Sequence, residues 1–173
     1  GKNRLTLALD GQAQFLIVVP KDAPAPVRFA GQELKYYLDR ITGADFDIAS
    51  KRPKGQKAII LGDGPEAREL GIDVNTITRD GYSIIANNDI IVIAGRDDPT
   101  DKSEILLDLS NEGASGHIRR ADLKAPHWDF ERGSLYGTYR FLDALGVRWF
   151  FPGPKGETAP NEKTLTIQSF TDR

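Results

Sequence analysis

Residues 132–153 constrain this chain more than any other stretch, because they encode a helix with both ends marked and an apolar run directly behind it. Leu135, Thr138, Tyr139, Phe141, Leu142 and Leu145 recur at helical spacing and share one broad arc, while Arg140 and Asp143 fall outside it. Ser134 is placed to accept a first-turn amide as an N-cap, and Gly146 suits the left-handed position just past the last turn. Residues 147–151 then predict a short, heavily buried strand, stopped by Pro152 and Gly153. A helix buried on one broad side needs a surface to lie on, and the rest of the chain has to supply it.

Strand signals are plentiful. Residues 4–9 alternate strictly, with Leu5, Leu7 and Leu9 on one face, and Asp10-Gly11 turns the chain into the apolar run 15–19, so an opening hairpin is expected. A second helix is predicted from about residue 24 to residue 41. Val27, Ala30, Leu34, Tyr37, Leu38 and Ile41 form its stripe, with Pro24 and Pro26 near the first turn and Gly43 closing it. Phe29 and Tyr36 lie on a flanking ridge, either padding a second packed neighbour or offering a platform for a sugar ring. Short strands are expected at Phe46 and Ile48 and at residues 58–61. The clearest hairpin joins residues 82–86 to 90–94 through Asn87-Asn88-Asp89. Its second strand begins Ile90-Ile91-Val92-Ile93, apolar on both faces, and belongs in the middle of a sheet. Residues 164–168 alternate as a last strand before a polar end.

Between these elements lies a long irregular segment, residues 97–131, punctuated by Asp97-Asp98-Pro99, Asn111-Glu112-Gly113 and Ala125-Pro126. Connections of this length inside a compact domain are more often functional than structural, so it is read as an excursion from the core. It contains both histidines of the chain, His117 and His127, with Asp122, Asp129 and Glu131 nearby. Two histidines and carboxylates are zinc-ligand or general-base chemistry, but their spacing matches no helical ligand motif. Trp128, in the same segment, is either a packing anchor or a surface contact. Trp149 and Phe150 are also candidates for stacking on sugar, though in a strand at least one of them faces the core.

Other chemistries find less support. Gly62-Asp63-Gly64-Pro65 lacks the third glycine and the Lys-Ser/Thr of a phosphate loop, so nucleotide binding is not indicated. There are 25 acidic residues, yet none is placed as the facing carboxylate pair that glycoside hydrolysis requires. A formal charge of -2 disfavours a nucleic-acid partner, and no apolar run is long enough for a membrane span. The chain has no cysteine, which excludes disulfides, a thiol nucleophile and thiolate metal sites. No cofactor or metal is implied. With 173 residues, 39% hydrophobic and 28% charged, the composition is that of one ordinary globular domain.

The helix Gly133-Ser-Leu-Tyr-Gly-Thr-Tyr-Arg-Phe-Leu, the following Leu145-Gly-Val-Arg-Trp-Phe-Phe-Pro-Gly and the later Gly156-Glu-Thr-Ala-Pro carry a resemblance. They are similar to the N-terminal accessory domain that precedes the catalytic barrel in bacterial α-glucuronidases and β-hexosaminidases. The likeness extends more weakly to residues 30–43, 59–62 and 80–84. In the resembling hydrolases the catalytic carboxylates belong to the barrel, so the resemblance carries no catalytic residue onto this chain.

The expected fold is therefore α+β: one mixed, largely antiparallel sheet of about seven or eight strands with two main helices packed on one face. Residues 1–173 are expected to form a single accessory domain with a long loop insertion at 97–131. The resemblance implies a catalytic barrel after residue 173 in the same polypeptide, and a periplasmic or extracellular location. The expected role is to brace that barrel and to lend a loop to its active-site rim, with His127 and Trp128 as the contacts to carbohydrate or barrel. Two alternatives stay open: an independent carbohydrate-binding module with an oligosaccharide partner, and a small metal-dependent hydrolase built on residues 97–131.

Overall fold

The structure, a computed structural model, describes residues 3–99, 130–151 and 153–173. Strand β1 (Arg4–Leu9) pairs antiparallel with β2 (Gln12–Ala13) across the Asp10-Gly11 turn. The opening hairpin thus closes on two residues. The apolar run behind it becomes β3 (Leu16–Val18) and leaves for a different sheet. A run without polar alternation can be buried on both faces, and β3 is indeed an interior strand. The alternation of β1 also breaks. A bulge between Thr6 and Ala8 buries Leu5, Leu7 and Ala8 together and turns Leu9 outward, 49% exposed.

Helix α1 (Ala25–Thr42) follows β3, with its Gly43 cap at a φ of 69°. Its stripe from Val27 to Ile41 is buried, Phe29 included, while Tyr36 is half-buried and meets Tyr37 edge-on. Then come β4 (Ile48–Ala49), β5 (Ala58–Leu61), the short α2 (Pro65–Glu69), β6 (Tyr82–Asn87) and β7 (Ile90–Gly95). The β6–β7 hairpin turns at Asn88-Asp89, where Asn88 takes a φ of 50°. Beyond the undescribed segment, α3 (Gly133–Ala144) leads to β8 (Arg148–Trp149) and β9 (Glu157–Thr158), then to β10 (Leu165–Gln168) and β11 (Phe170–Asp172).

The main sheet has the order β11-β6-β7-β5-β3-β4. Its β7, β5, β3 and β4 run parallel, and β6 and β11 add antiparallel pairings at the other edge. A second sheet runs β10-β1-β2, and β8 and β9 pair apart from both. Antiparallel pairing predominates over the molecule as a whole, and the sheet is mixed as expected. Strand β11 was not foreseen, because Thr171-Asp172 reads as a polar tail. At an edge such residues are tolerated, and Phe170 anchors the strand by stacking on Phe141.

Both faces of the main sheet are covered. Ile59, Leu61, Ile84, Ile91 and Ile93 join α1 and α3 in the larger core, while Ile60, Ile85, Val92 and Ala94 meet Ala67 of α2 and Ile72 on the reverse. The two long helices thus share one face, and β7 is central as its Ile-Ile-Val-Ile run requires. The prediction of a buried strand at 147–151 needs correction. Val147 is buried, but Phe150 and Phe151 are 72% and 58% exposed, because β8 pairs with β9 outside the main sheet.

Leu142 is fully buried in the arc of α3, whereas Arg140 lies half-exposed between Asp143 and Asp172. Leu142→Ala is expected to cost about 2–5 kcal/mol. Arg140→Ala is expected to cost no more than about 1 kcal/mol, the worth of surface ion pairs. Urea melts of the two single variants check this, and equal midpoints would mean that the buried face is misassigned.

Candidate functional site

The carboxyl end of β7 meets the start of α3 at a crossing of three glycines. A Cβ on Gly95 would lie 2.5 Å from the carbonyl carbon of Gly133, and one on Gly133 would collide with the carbonyl oxygen of Gly81. Only bare backbone fits there. The segment expected as an excursion leaves and returns beside this crossing, and its two ends are tied together. Asp97 bridges to Arg132, Asp98 N donates to Glu131 O at 2.8 Å, and Gly133 N donates to Arg96 O at 2.8 Å. Arg96 and Glu131 add an ion pair of 2.8 Å. Phe130 is buried beneath the Arg132 guanidinium, which stands 4.6 Å from its ring and 5.6 Å from that of Tyr136.

The helix cap comes from an unexpected residue. Ser134 is not the N-cap; it lies inside the first turn, after Gly133, and is completely buried. The capping acceptor is Asp97. Its Oδ1 accepts from Ser134 N at 3.0 Å and its Oδ2 from the Ser134 hydroxyl at 2.5 Å, while that hydroxyl accepts from Gly95 N at 3.0 Å. Asp80 accepts from Arg132 N two residues earlier. A cap supplied from a distant strand leaves no local signature, which is why a search for Ser/Thr/Asp/Asn directly before the helix settles on Ser134 instead.

Burial pushes the Asp97 carboxyl up to about 6; the two bonds from Ser134 pull it back, and nearby Glu131 and Asp80 add to the rise. A value near neutrality is typical of a general acid or base. Both oxygens of this carboxylate are, however, engaged by Ser134, so the geometry makes it a clasp between β7 and α3. A crevice of about 380 Å³ opens beside the clasp, lined by Arg79, Arg96, Asp98, Phe130 and Glu131. Among the described residues no cluster of three His, Asp or Glu side chains is arranged to hold a metal ion.

At the far end of α3, about 18 Å along a twelve-residue helix, the β8–β9 hairpin presents aromatic rings. Trp149 donates its indole N–H to the Tyr37 hydroxyl at 2.7 Å and stands edge-on to the rings of Tyr37 and Tyr139. Tyr139 donates to the buried carboxylate of Glu33 at 2.9 Å, and Arg40 pairs with the buried Glu157 at 3.2 Å. Burial, with the charges of Glu33 and Glu157 nearby, pushes both tyrosine hydroxyls well above their ordinary values, so they stay protonated donors. Trp149 is 37% exposed, and Phe150 and Phe151 continue the apolar surface.

Of the residues singled out in the sequence, Trp149 and Phe150 lie on this hairpin, and Glu131 lies at the stem formed by the tied ends of residues 97–131. His127 and Trp128, together with His117, Asp122 and Asp129, lie outside the described residues. Asp97, Arg132, Glu33 and Tyr139 were not recognised as working parts.

The clasp predicts a pH dependence. An unfolded Asp97 ionises near its ordinary 3.8, while the folded one holds its proton to about 6. The stability it contributes is therefore fully present below 3.8 and is lost as the pH rises through 6. Asp97→Asn cannot ionise, so the stability of the native chain measured against this variant is expected to fall between pH 4 and pH 7. Urea melts at pH 4, 5, 6 and 7 read the difference, and a constant difference would contradict the raised ionisation.

Comparison with known proteins bears on the fold and on the family. No curated protein matches the chain by sequence. Among solved structures, the family GH115 4-O-methyl-α-glucuronidase BtGH115A, which has specificity for decorated arabinogalactans, superimposes with a TM-score of 0.60 at 16% identity. The match covers 98% of this chain and 18% of that one, so this chain spans less than a fifth of the protein it resembles. At that identity it shows the fold, which is one found within an α-glucuronidase. Residues 8–100, from β1 to the foot of the stem, match the family model described as glycosyl hydrolase family 67 N-terminus. That span is more than half of the 173 residues, and the chain belongs to the glycosyl hydrolase family 67 N-terminus family.

Proposed function

We propose that this chain is a non-catalytic brace for the barrel of an α-glucuronidase-like glycoside hydrolase, carried in the same polypeptide. The observation that carries this reading is the exposed aromatic hairpin. Apolar patches of this kind on a folded domain mark interaction surfaces. The Trp149 ring is already fixed by its hydrogen bond to Tyr37 and by two edge-on contacts, so docking would cost it little further freedom. The pinned stem supports the second half of the role. It fixes where residues 97–131 leave the domain and where they return, which is what a loop lent to an active-site rim requires. Polysaccharides do not cross membranes, and we place the parent enzyme in the periplasm or outside the cell for that reason.

Aromatic rings also stack on pyranose faces, and the same hairpin favours a carbohydrate-binding module as the second reading. The two separate in one experiment. Joined to its catalytic region, the Phe150→Ser, Phe151→Ser double variant is expected to lower the melting temperature of the whole while leaving the melt of the isolated chain unchanged. Equal melts in the joined protein, together with saturable oligosaccharide binding by the isolated chain, would replace the brace with the module.

The isolated chain is expected to hydrolyse none of a panel of aryl glucuronides and hexosaminides. In the joined enzyme, replacing residues 100–126 by a short Gly-Ser linker is expected to lower kcat/KM by roughly tenfold or more, the scale of losses from misplaced positioning elements. Turnover by the isolated chain that survives repurification and is abolished by changing one carboxylate would overturn the non-catalytic reading.

A further inference from the structure

Parallel strands whose connections diverge to opposite faces of a sheet leave a crevice between their carboxyl ends, and open α/β sheets bind ligands there. Strands β3 and β5 are such a pair. The chain leaves β3 for α1 on the face of the larger core and leaves β5 for α2 on the reverse face. Between the two departing loops lies a pocket of about 330 Å³. Small-molecule sites start at roughly 300 Å³. Unlike the crevice beside the stem, this one does not adjoin the undescribed segment, since its walls come from the loops after β3, β4 and β5 and from the first turn of α1.

The lining has a definite chemistry. Pro20, Pro24 and Val27 form an apolar wall, and Lys21, Asp22, Ser50 and Lys51 stand around it. Neither Lys21 nor Lys51 has an ion-pair or hydrogen-bond partner among the described residues, whereas Asp63 is already held by Arg68 at 2.7 Å. Several of the backbone amides around the pocket are already occupied. Ala23 N donates to Pro20 O, Val27 N and Arg28 N to Pro24 O, and Gly62 N to Ile93 O. Proline at 20, 24 and 26 supplies no amide at all. There is no aromatic side chain to stack on a base. The side chains offer two ammonium groups for one anionic group, a carboxylate and a hydroxyl for ring hydroxyls, and an apolar wall for the C–H face of a pyranose.

We infer that the crevice between β3 and β5 is a binding subsite for a monosaccharide-sized sugar carrying one anionic group, gripped by Lys21 and Lys51. The site is complete within this chain and does not depend on the bracing role. A carboxylate or a phosphate supplies the same anion, and three ligands on one scaffold separate them. Amide chemical shifts of the ¹⁵N-labelled chain are followed during titration with glucose, glucuronate, glucose 6-phosphate and, as a charge control, inorganic phosphate. Saturable shifts at Lys21, Asp22, Ser50, Lys51 and Gly62 are expected with an anionic sugar, with glucose weaker by about tenfold or more. The anionic sugar that saturates first identifies the anion. The Lys21→Ala, Lys51→Ala double variant is expected to weaken that binding by about tenfold or more while the rest of its spectrum stays superimposable on the parent. The inference is overturned if neither anionic sugar shifts these amides, if the shifts survive the double substitution, or if inorganic phosphate binds as tightly as the sugars.

Discussion

A carboxylate held at the first turn of a helix 37 residues further along the chain is the constraint from which the rest of this architecture follows. Helix α3 packs close on β6 and β7, and its N-terminus abuts the backbone where Gly81, Gly95 and Gly133 converge. Arg132, the residue before the helix, carries no side-chain acceptor and makes no cap bond. An unsatisfied buried donor there would cost about 1–3 kcal/mol. Asp97, one residue past Arg96 at the end of β7, satisfies the Ser134 amide and hydroxyl together. The same two bonds fix the distance between the ends of the long segment. One interaction thus sets the start of the helix, the end of β7 and the point of departure of the segment that the proposed function depends on.

Much of this was legible in the sequence where the cause is local. The apolar stripes of α1 and α3, the Asn-Asn-Asp turn of the β6–β7 hairpin and the central place of Ile90-Ile91-Val92-Ile93 each follow from periodicity or from the backbone freedom of a few residues. What sequence reasoning missed has non-local causes. The Asp97 cap crosses from another element. The bulge at Thr6 and Ala8 is a matter of register against β10, and strand β11 exists because β6 offers an unpaired edge. The glycine crossing needs three positions that only folding brings together. For the candidate site the balance is less favourable: Trp149 and Phe150 were noticed as aromatic but placed in a buried strand, and the residues that hold Trp149 in place were not connected to it.

The buried polar groups beneath that hairpin explain why its rings stay outside. Glu33 and Glu157 are almost completely buried, and burying a carboxylate is costly unless it is hydrogen-bonded or paired. Glu33 accepts from Tyr139 and Glu157 pairs with Arg40, which ties α1, α3 and β9 together. Tyr37 and Tyr139, so held, leave the Trp149 indole one orientation in which its N–H is satisfied. An apolar interface in place of this network could slide; a hydrogen-bonded one specifies a single geometry.

The exposure of Phe150 and Phe151 follows from the backbone of the same hairpin. Phe150 N donates to Gly156 O at 2.8 Å, and the Phe151 carbonyl lies so close over Gly156 that no Cβ could stand there. With the loop closed in this way its two phenyl rings stand outside the core, in which Val147 is buried. A looser loop would let them collapse inward. The loop therefore holds apolar surface in water, and exposed patches of this kind on a folded domain mark interaction surfaces. The clasp at the other end of α3 is built on opposite terms, with buried charge and polar hydrogen bonds. The domain thus offers a firm apolar contact at one end of the helix and a polar, pH-sensitive root for a long segment at the other, and a brace that also positions a loop needs both.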